Sequence, residues 1–119
     1  MRVLIVDDSP TIRDITAATL KAAGYDVLEA EHGVDGLKAL KGETVDLIIS
    51  DLNMYNMGGF EFVSRVREKP EYEYTPILFL TTETSDEFKR IGCEVGATGW
   101  MVKPFDPGEL IDTVRRLIQ

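Results

Sequence analysis

A few side chains in this sequence have the types and spacing to do chemistry. Asp7 and Asp8 follow the apolar run Val3–Val6, and Asp51 follows Leu47–Ile49 after a single serine. Thr81 and Thr82 follow Ile77–Leu80, and Lys103, succeeded by Pro104, follows Trp100–Val102. Taken singly, each has a plain structural use. Asp8 suits a helix N-terminus, which favours acids; Thr81 could simply end a strand, and Lys103 could be a solvated loop residue. Jointly they say more. Three carboxylates brought to one place repel one another unless a cation joins them. A hard divalent ion with oxygen ligands answers that need, and Mg²⁺ is the natural choice, because it binds through one or two carboxylates, keeps waters and takes phosphate oxygens. A lysine charge and a threonine hydroxyl nearby suit a bound phosphoryl group. Carboxylate nucleophile, metal and lysine together spell phosphoryl transfer.

That chemistry requires a scaffold that delivers all of these residues to one edge. The sequence predicts strands at Val3–Val6, Val27–Ala30, Leu47–Ile49, Ile77–Leu80 and Trp100–Val102. Most are continuous apolar runs, the pattern of strands buried on both faces of a parallel sheet. Helix-period segments alternate with them. The first spans about 10–23, capped by Asp8 or Ser9, with Pro10 in its first turn and Gly24 at its end. Its apolar face is Ile12, Ile15, Thr16, Thr19, Leu20 and Ala23. The others span about 33–40, 59–67 and 86–95, and a fifth starts at Pro107. Five such units in series predict an α/β domain with a doubly wound, five-stranded parallel sheet flanked by five helices. In that architecture ligands bind outside the carboxyl ends of the strands, where the acids, threonines and lysine are expected.

Composition narrows the function. The 119 residues predict a single domain over 1–119, long enough for a core without disulfides. There are 21 acids against 13 bases, a formal net charge of −8, which argues against nucleic acid or anionic membrane as a general partner. Cys93 is the sole cysteine and cannot form an internal disulfide. It is expected as a small, buried or half-buried helix residue in a reducing cytoplasm. The opening "MRVLIVDDSP" is no signal peptide, and no apolar stretch is long enough to cross a bilayer. The expectation is a soluble, cytoplasmic protein.

With these residues in place, the sequence resembles the receiver domain of two-component response regulators, in its stand-alone chemotaxis (CheY-like) type. The resemblance runs through "VLIVDDSPTIR", "DLIISDLNM", "PILFLTTE" and "GATGWMVKPFDP" and covers essentially the whole chain. It implies that Asp51 is the phospho-acceptor, taking a phosphoryl group from a histidine of a sensor kinase. Asp7 and Asp8 would hold Mg²⁺, Asp7 largely through water, with Asp51 itself and the backbone carbonyl of Asn53 completing the protein ligands. Lys103 would pair with a phosphoryl oxygen, its peptide bond to Pro104 being cis. Thr81 would move in to hydrogen-bond the phosphoryl group. Trp100, three positions before the lysine, stands where the family usually has tyrosine or phenylalanine. It is expected to follow Thr81 and to lie on an output face made by the fourth helix, fifth strand and fifth helix. Asn53 and Glu83, each two residues beyond a site residue, would tune the lifetime of the phosphoryl group. The protein would assist its own phosphorylation and dephosphorylation without being an enzyme in the ordinary sense. Partners implied are the kinase and a downstream protein target, with a flagellar motor switch protein as one candidate, contacted by a monomer. Because the sequence ends at Gln119, just after the fifth helix, output by protein–protein contact is expected.

Other readings carry specific objections. A small aspartyl-phosphate phosphohydrolase would have a second acid two residues after the nucleophile on the first strand, where Asp7 is followed by Ser9. A flavin-binding domain would have a Ser/Thr/Gly-rich phosphate loop where "DDSPT" presents carboxylates. A receiver serving as a phosphate sink or adaptor in another pathway stays open. His32, the only histidine, reads as a surface loop residue in "EAEHGVDG". Met54 and Met57 read as loop anchors, and Gly58 with Gly59 as the pair that lets the chain turn into the third helix. Tyr55 occupies a position where receivers usually have proline. It predicts a more mobile loop after Asp51, or a ring docked over the pocket rim.

Overall fold

A computed structural model of the chain describes residues 1–118. Strands and helices alternate: β1 (Arg2–Val6), α1 (Pro10–Ala22), β2 (Asp26–Ala30), α2 (Gly33–Ala39), β3 (Leu47–Ser50), α3 (Gly59–Arg67), β4 (Ile77–Thr81), α4 (Asp86–Val95), β5 (Gly99–Val102) and α5 (Pro107–Ile118), with a 3₁₀ turn at Pro70–Tyr72. All strand pairs are parallel, in the order β2-β1-β3-β4-β5. The doubly wound five-stranded sheet predicted from the sequence is the fold observed.

The apolar runs explain the order. β3 and β4 are buried at every position and β1 at all but Arg2, so these strands fill the centre, and the less buried β2 and β5 take the edges. Successive side chains along a strand point to opposite faces. Leu4, Val6, Ile48, Ile77 and Phe79 therefore join Phe62, Val63 and Val66 of α3 on one face. Val3, Ile5, Leu47, Ile49, Leu78 and Leu80 join Ala17 and Leu20 of α1 and Leu110 and Val114 of α5 on the other. Each fully buried side chain of this kind contributes about 1.5–3 kcal/mol, and the two cores hold the sheet as one rigid platform.

Four expectations are corrected. α1 packs through Thr16, Ala17 and Leu20, leaving Ile15 in solvent; the buried Thr16 hydroxyl donates to the Ile12 carbonyl, so it fits the core as a small residue would. Cys93 lies in α4 but is exposed, because the helix turns the neighbouring Gly92 toward Trp100 instead. His32 is half-buried and caps α2, its Nδ1 accepting from the Asp35 amide at 3.4 Å. Gly58 and Gly59 do not turn the chain through glycine's special backbone freedom: Gly58 has φ −71°, and the left-handed residue of that loop is Asn56, at φ 69°. A Cβ on Gly59 would lie 2.5 Å from the Asp51 carbonyl oxygen and 2.8 Å from Leu52 Cα. Gly59 therefore lets α3 start against the backbone of the site. Ser9 is the residue that caps α1, by accepting from the Ile12 amide.

Candidate functional site

Parallel pairing continues one residue past the strands and sets the site residues side by side. The Asp7 amide donates to the Ala30 carbonyl, the Asp51 amide to the Val6 carbonyl and the Lys103 amide to the Thr81 carbonyl. The ends of β2, β1 and β3 are thereby locked in step, as are those of β4 and β5, and the side chains of Asp7, Asp51 and Lys103 meet at one edge. Among the described residues, ligand atoms of Asp7, Asp8 and Asp51 all lie within 4.8 Å of one another.

Asp7 is buried and held at both carboxylate oxygens. Oδ1 accepts from the Ser9 amide at 2.9 Å and Oδ2 from Lys103 Nζ at 2.7 Å. Lys103 Nζ also lies 3.2 Å from Asp51 Oδ2, so a single ammonium bridges two acids. The other oxygen of Asp51, Oδ1, accepts from the Leu52 amide at 2.7 Å. Asp51 is 8% exposed, whereas Asp8 is open to solvent. The Lys103–Pro104 peptide is cis, as the resemblance implied.

The electrostatics follow from this crowding. Burial pushes the Asp51 carboxyl above its ordinary value; Lys103 pulls it back and the neighbouring Asp7 adds to the rise. For Lys103, burial pushes downward, but hydrogen bonding and attraction to Asp7 and Asp51 outweigh it, so its pKa is raised. Three formal carboxylates against one ammonium leave two negative charges, the complement of one divalent cation. The donors are all hard oxygens, the set that suits Mg²⁺.

Thr81 and Trp100 meet at the loop after β4. The Glu83 amide donates to Thr81 Oγ1 at 3.3 Å, and the Glu83 carbonyl accepts from Trp100 Nε1 at 2.9 Å. The indole is half-buried, 5.4 Å from Phe79 between ring centroids. Trp100 also lines a groove of about 550 Å³ between β5 and α5, with Val102, Phe105, Thr113 and Arg116. Asn53 is exposed beside Asp51, and Met57 is buried, as a loop anchor should be. Tyr55 is 76% exposed, so its ring does not dock over the pocket rim. A second grouping, Glu31, His32 and Asp35, is accounted for by the α2 cap. Sequence reasoning missed that the Ser9 amide steadies Asp7 and that Arg13 Nη1 donates to the Asp7 carbonyl at 2.7 Å. The available signal was a basic residue four positions after the helix cap, where a side chain can fold back over the first turn.

An all-oxygen acidic pocket, bridged by a lysine at the carboxyl edge of a 2-1-3-4-5 parallel sheet, defines a phosphoryl-accepting signalling domain. The family model for the response regulator receiver domain matches residues 3–115, and the chain belongs to that family. It is accordingly a signalling protein rather than a classical enzyme. It is 44% identical over 109 residues to a chemotaxis protein CheY homolog of Campylobacter jejuni, covering 90% of this chain and 84% of that one. It is 39% identical over 109 residues to chemotaxis protein CheY1 of Helicobacter pylori, covering 90% and 88%. Its structure is similar to that of chemotaxis protein CheY4 of Vibrio cholerae, with a TM-score of 0.95 at 52% identity over 98% of this chain and 97% of that one. Among the described residues, no helix is long and apolar enough to cross a membrane.

Proposed function

We propose that Asp51 accepts a phosphoryl group from a phosphohistidine of a sensor kinase in a cytoplasmic chemotaxis pathway. In that step an Asp51 carboxylate oxygen forms a bond to phosphorus as the phosphorus–nitrogen bond of the donor breaks, the electron pair leaving with the imidazole. The supporting observation is the single Lys103 ammonium shared by Asp7 and Asp51 at the strand edge. Asp7, Asp8, Asp51 and the Asn53 carbonyl would hold Mg²⁺, which when bound neutralises the acids and the phosphoryl oxygens. Lys103 contributes a charge at one phosphoryl oxygen, exchanging one of its carboxylate partners for it. The Leu52 amide fixes Asp51 Oδ1 and so orients the carboxylate before any donor arrives.

Thr81 and Trp100 carry the signal outward. The two side chains hold opposite ends of the Glu83 residue, one at its amide and one at its carbonyl. When Thr81 turns to a phosphoryl oxygen it gives up the Glu83 amide, and the loop shifts with Trp100 attached. That is a bias on a two-state loop rather than a new fold. Helix 4, strand 5 and helix 5 form the surface read by the target. A flagellar motor switch protein is the target class suggested by the chemotaxis relatives. Asn53 and Glu83 flank the path of the water that later hydrolyses the acyl phosphate.

The test follows Trp100 fluorescence during addition of Mg²⁺ with beryllofluoride or a small phosphodonor. A Mg²⁺-dependent change that Asp51→Ala abolishes is expected. Absence of phosphoryl uptake by the wild type from any donor ends this reading.

A further inference from the structure

We infer that Arg13 is a positioning residue that preorganises the acids for the divalent cation, by gripping the main chain of Asp7 from behind. This rests on the phosphoryl–metal reading above. Asp7 stands where β1 ends and the turn into α1 begins. Its carboxylate has partners in Ser9 and Lys103. Its carbonyl is the group the turn leaves without a place in the sheet, and Arg13 Nη1 takes it at 2.7 Å. Arg13 sits one turn into α1, its own amide donating to the Ser9 carbonyl at 2.9 Å. One residue thus ties the start of the helix to the end of the strand, with Asp8 lying between.

The guanidinium is itself held. Its Nε lies 3.5 Å from Glu29 Oε1 on the edge strand β2, and the arginine side chain is only 14% exposed. β2 pairs with β1 in register, Ile5 opposite Glu29. The contact therefore braces the metal-bearing turn against the sheet. Glu29 also offsets the arginine's charge, which would otherwise oppose a cation at the neighbouring carboxylates. Groups that orient a metal ligand are worth about 10–100-fold in metal affinity. Arg13 holds a backbone group rather than a ligating oxygen, so the effect belongs at the low end, about tenfold.

Two opposed contributions make the sign informative. If Arg13 acts chiefly by its charge, removing it should tighten Mg²⁺ binding. If it acts by holding the turn, removing it should weaken binding. The experiment is Mg²⁺ titration of the full chain by calorimetry, paired with the Mg²⁺-induced rise in thermal midpoint. The wild type is compared with Arg13→Gln, Arg13→Lys and Glu29→Gln. Expected are a roughly tenfold higher Kd for Arg13→Gln, a partial recovery for Arg13→Lys, and a smaller loss for Glu29→Gln, which keeps the bond to the Asp7 carbonyl. The Mg²⁺ concentration that half-saturates phosphorylation should rise with the Kd. An arginine serving stability alone would lower the metal-free midpoint and leave the Kd at the wild-type value. That result, or tighter binding, overturns the inference. Should Arg13→Gln fail to fold, an unaltered Kd in both other variants overturns it equally. A wild type that binds no Mg²⁺ at all sinks the metal reading beneath it.

Discussion

Replacing Gly59 by alanine should damage the fold and the site together, whereas the same change at Gly58 should do neither. A Cβ on Gly59 would stand 2.5 Å from the Asp51 carbonyl oxygen, 2.8 Å from Leu52 Cα and 2.8 Å from Phe79 Cε1. Two of these three neighbours are backbone, so no side-chain rotation relieves the clash. Either α3 moves off the sheet or the strand end bearing Asp51 moves. Overpacking of this kind costs about 1–3 kcal/mol. For a chain of this length, 1 kcal/mol lowers the thermal midpoint by roughly 4 °C, so a fall of about 4–12 °C is expected. The displacement also reaches the chemistry, because the Gly59 amide donates to the Leu52 carbonyl and the Leu52 amide to Asp51 Oδ1. A methyl on Gly58 meets only the Leu52 carbonyl oxygen, at 3.7 Å, on an ordinary backbone conformation. The helix-cap penalty and the stiffer unfolded chain roughly cancel there, leaving a change within about 0.5 kcal/mol. Thermal scans of both variants without metal, and beryllofluoride-induced Trp100 fluorescence with Mg²⁺, read the two effects. Equal midpoints for the two variants would refute the close-approach argument.

Asp51→Asn should stabilise the metal-free protein at neutral pH. The folded pKa of Asp51 is raised, so the ionised carboxylate is penalised in the fold; this penalty is absent below the unfolded value of 3.8 and complete above the folded one. Thermal midpoints in chelator at pH 7 should thus favour the asparagine variant, and the gap should close as the pH falls through the raised folded value, being gone below 3.8. Trp100→Phe deletes the indole donor to the Glu83 carbonyl, a bond worth about 1 kcal/mol; hydrogen exchange in the loop after β4 should accelerate roughly fivefold, and protection unchanged from the wild type would count against the coupling. Arg67 donates to the carbonyls of Tyr72, Thr75 and Gly96 and so pins the C-terminal end of α4. Arg67→Met should cost about 2–3 kcal/mol in urea unfolding, with exchange rising at Gly96 and Ala97 before it rises in the sheet.

The fold was legible because its evidence is local. Continuous apolar runs such as Ile77–Leu80 can only be buried on both faces, and Gly24 and Pro107 sit where a helix must stop and start. The bounds of α3 and α4 were readable to the residue for the same reason. The errors came where several helix faces were plausible. Ile15 looked like core because it is apolar at the right period, yet the small residues Thr16 and Ala17 are what α1 brings closest to the sheet. Gly59 carried no sign of its purpose, since a glycine needed for close approach and one needed for turning are spelled alike. Tyr55 was placed near the site by its number, but its number did not say that the ring faces outward.

The site was legible in its side chains and much less so in its backbone. Asp7, Asp8, Asp51, Thr81 and Lys103 announce themselves by ending apolar runs. What holds them does not: the amides of Ser9 and Leu52 steady the two acids, and the carbonyl of Asp7 is where Arg13 takes hold. Main-chain groups are present at every residue, so no spacing rule singles them out. The same is true of the link between Thr81 and Trp100, nineteen positions apart, which runs through the amide and carbonyl of Glu83. Because the chain is tied there by its main chain, exchanging the Glu83 side chain for glutamine should leave the coupling intact. The same exchange should still alter the phosphoryl lifetime, through the side chain alone. A proline at this position, which has no amide hydrogen, should break the tie to Thr81 and spare the carbonyl that Trp100 holds. Phosphoryl lifetime and Trp100 fluorescence, measured on both variants, separate the two roles proposed for this residue. A glutamine variant that loses the fluorescence response would show that the side chain, and not the peptide, joins site to surface.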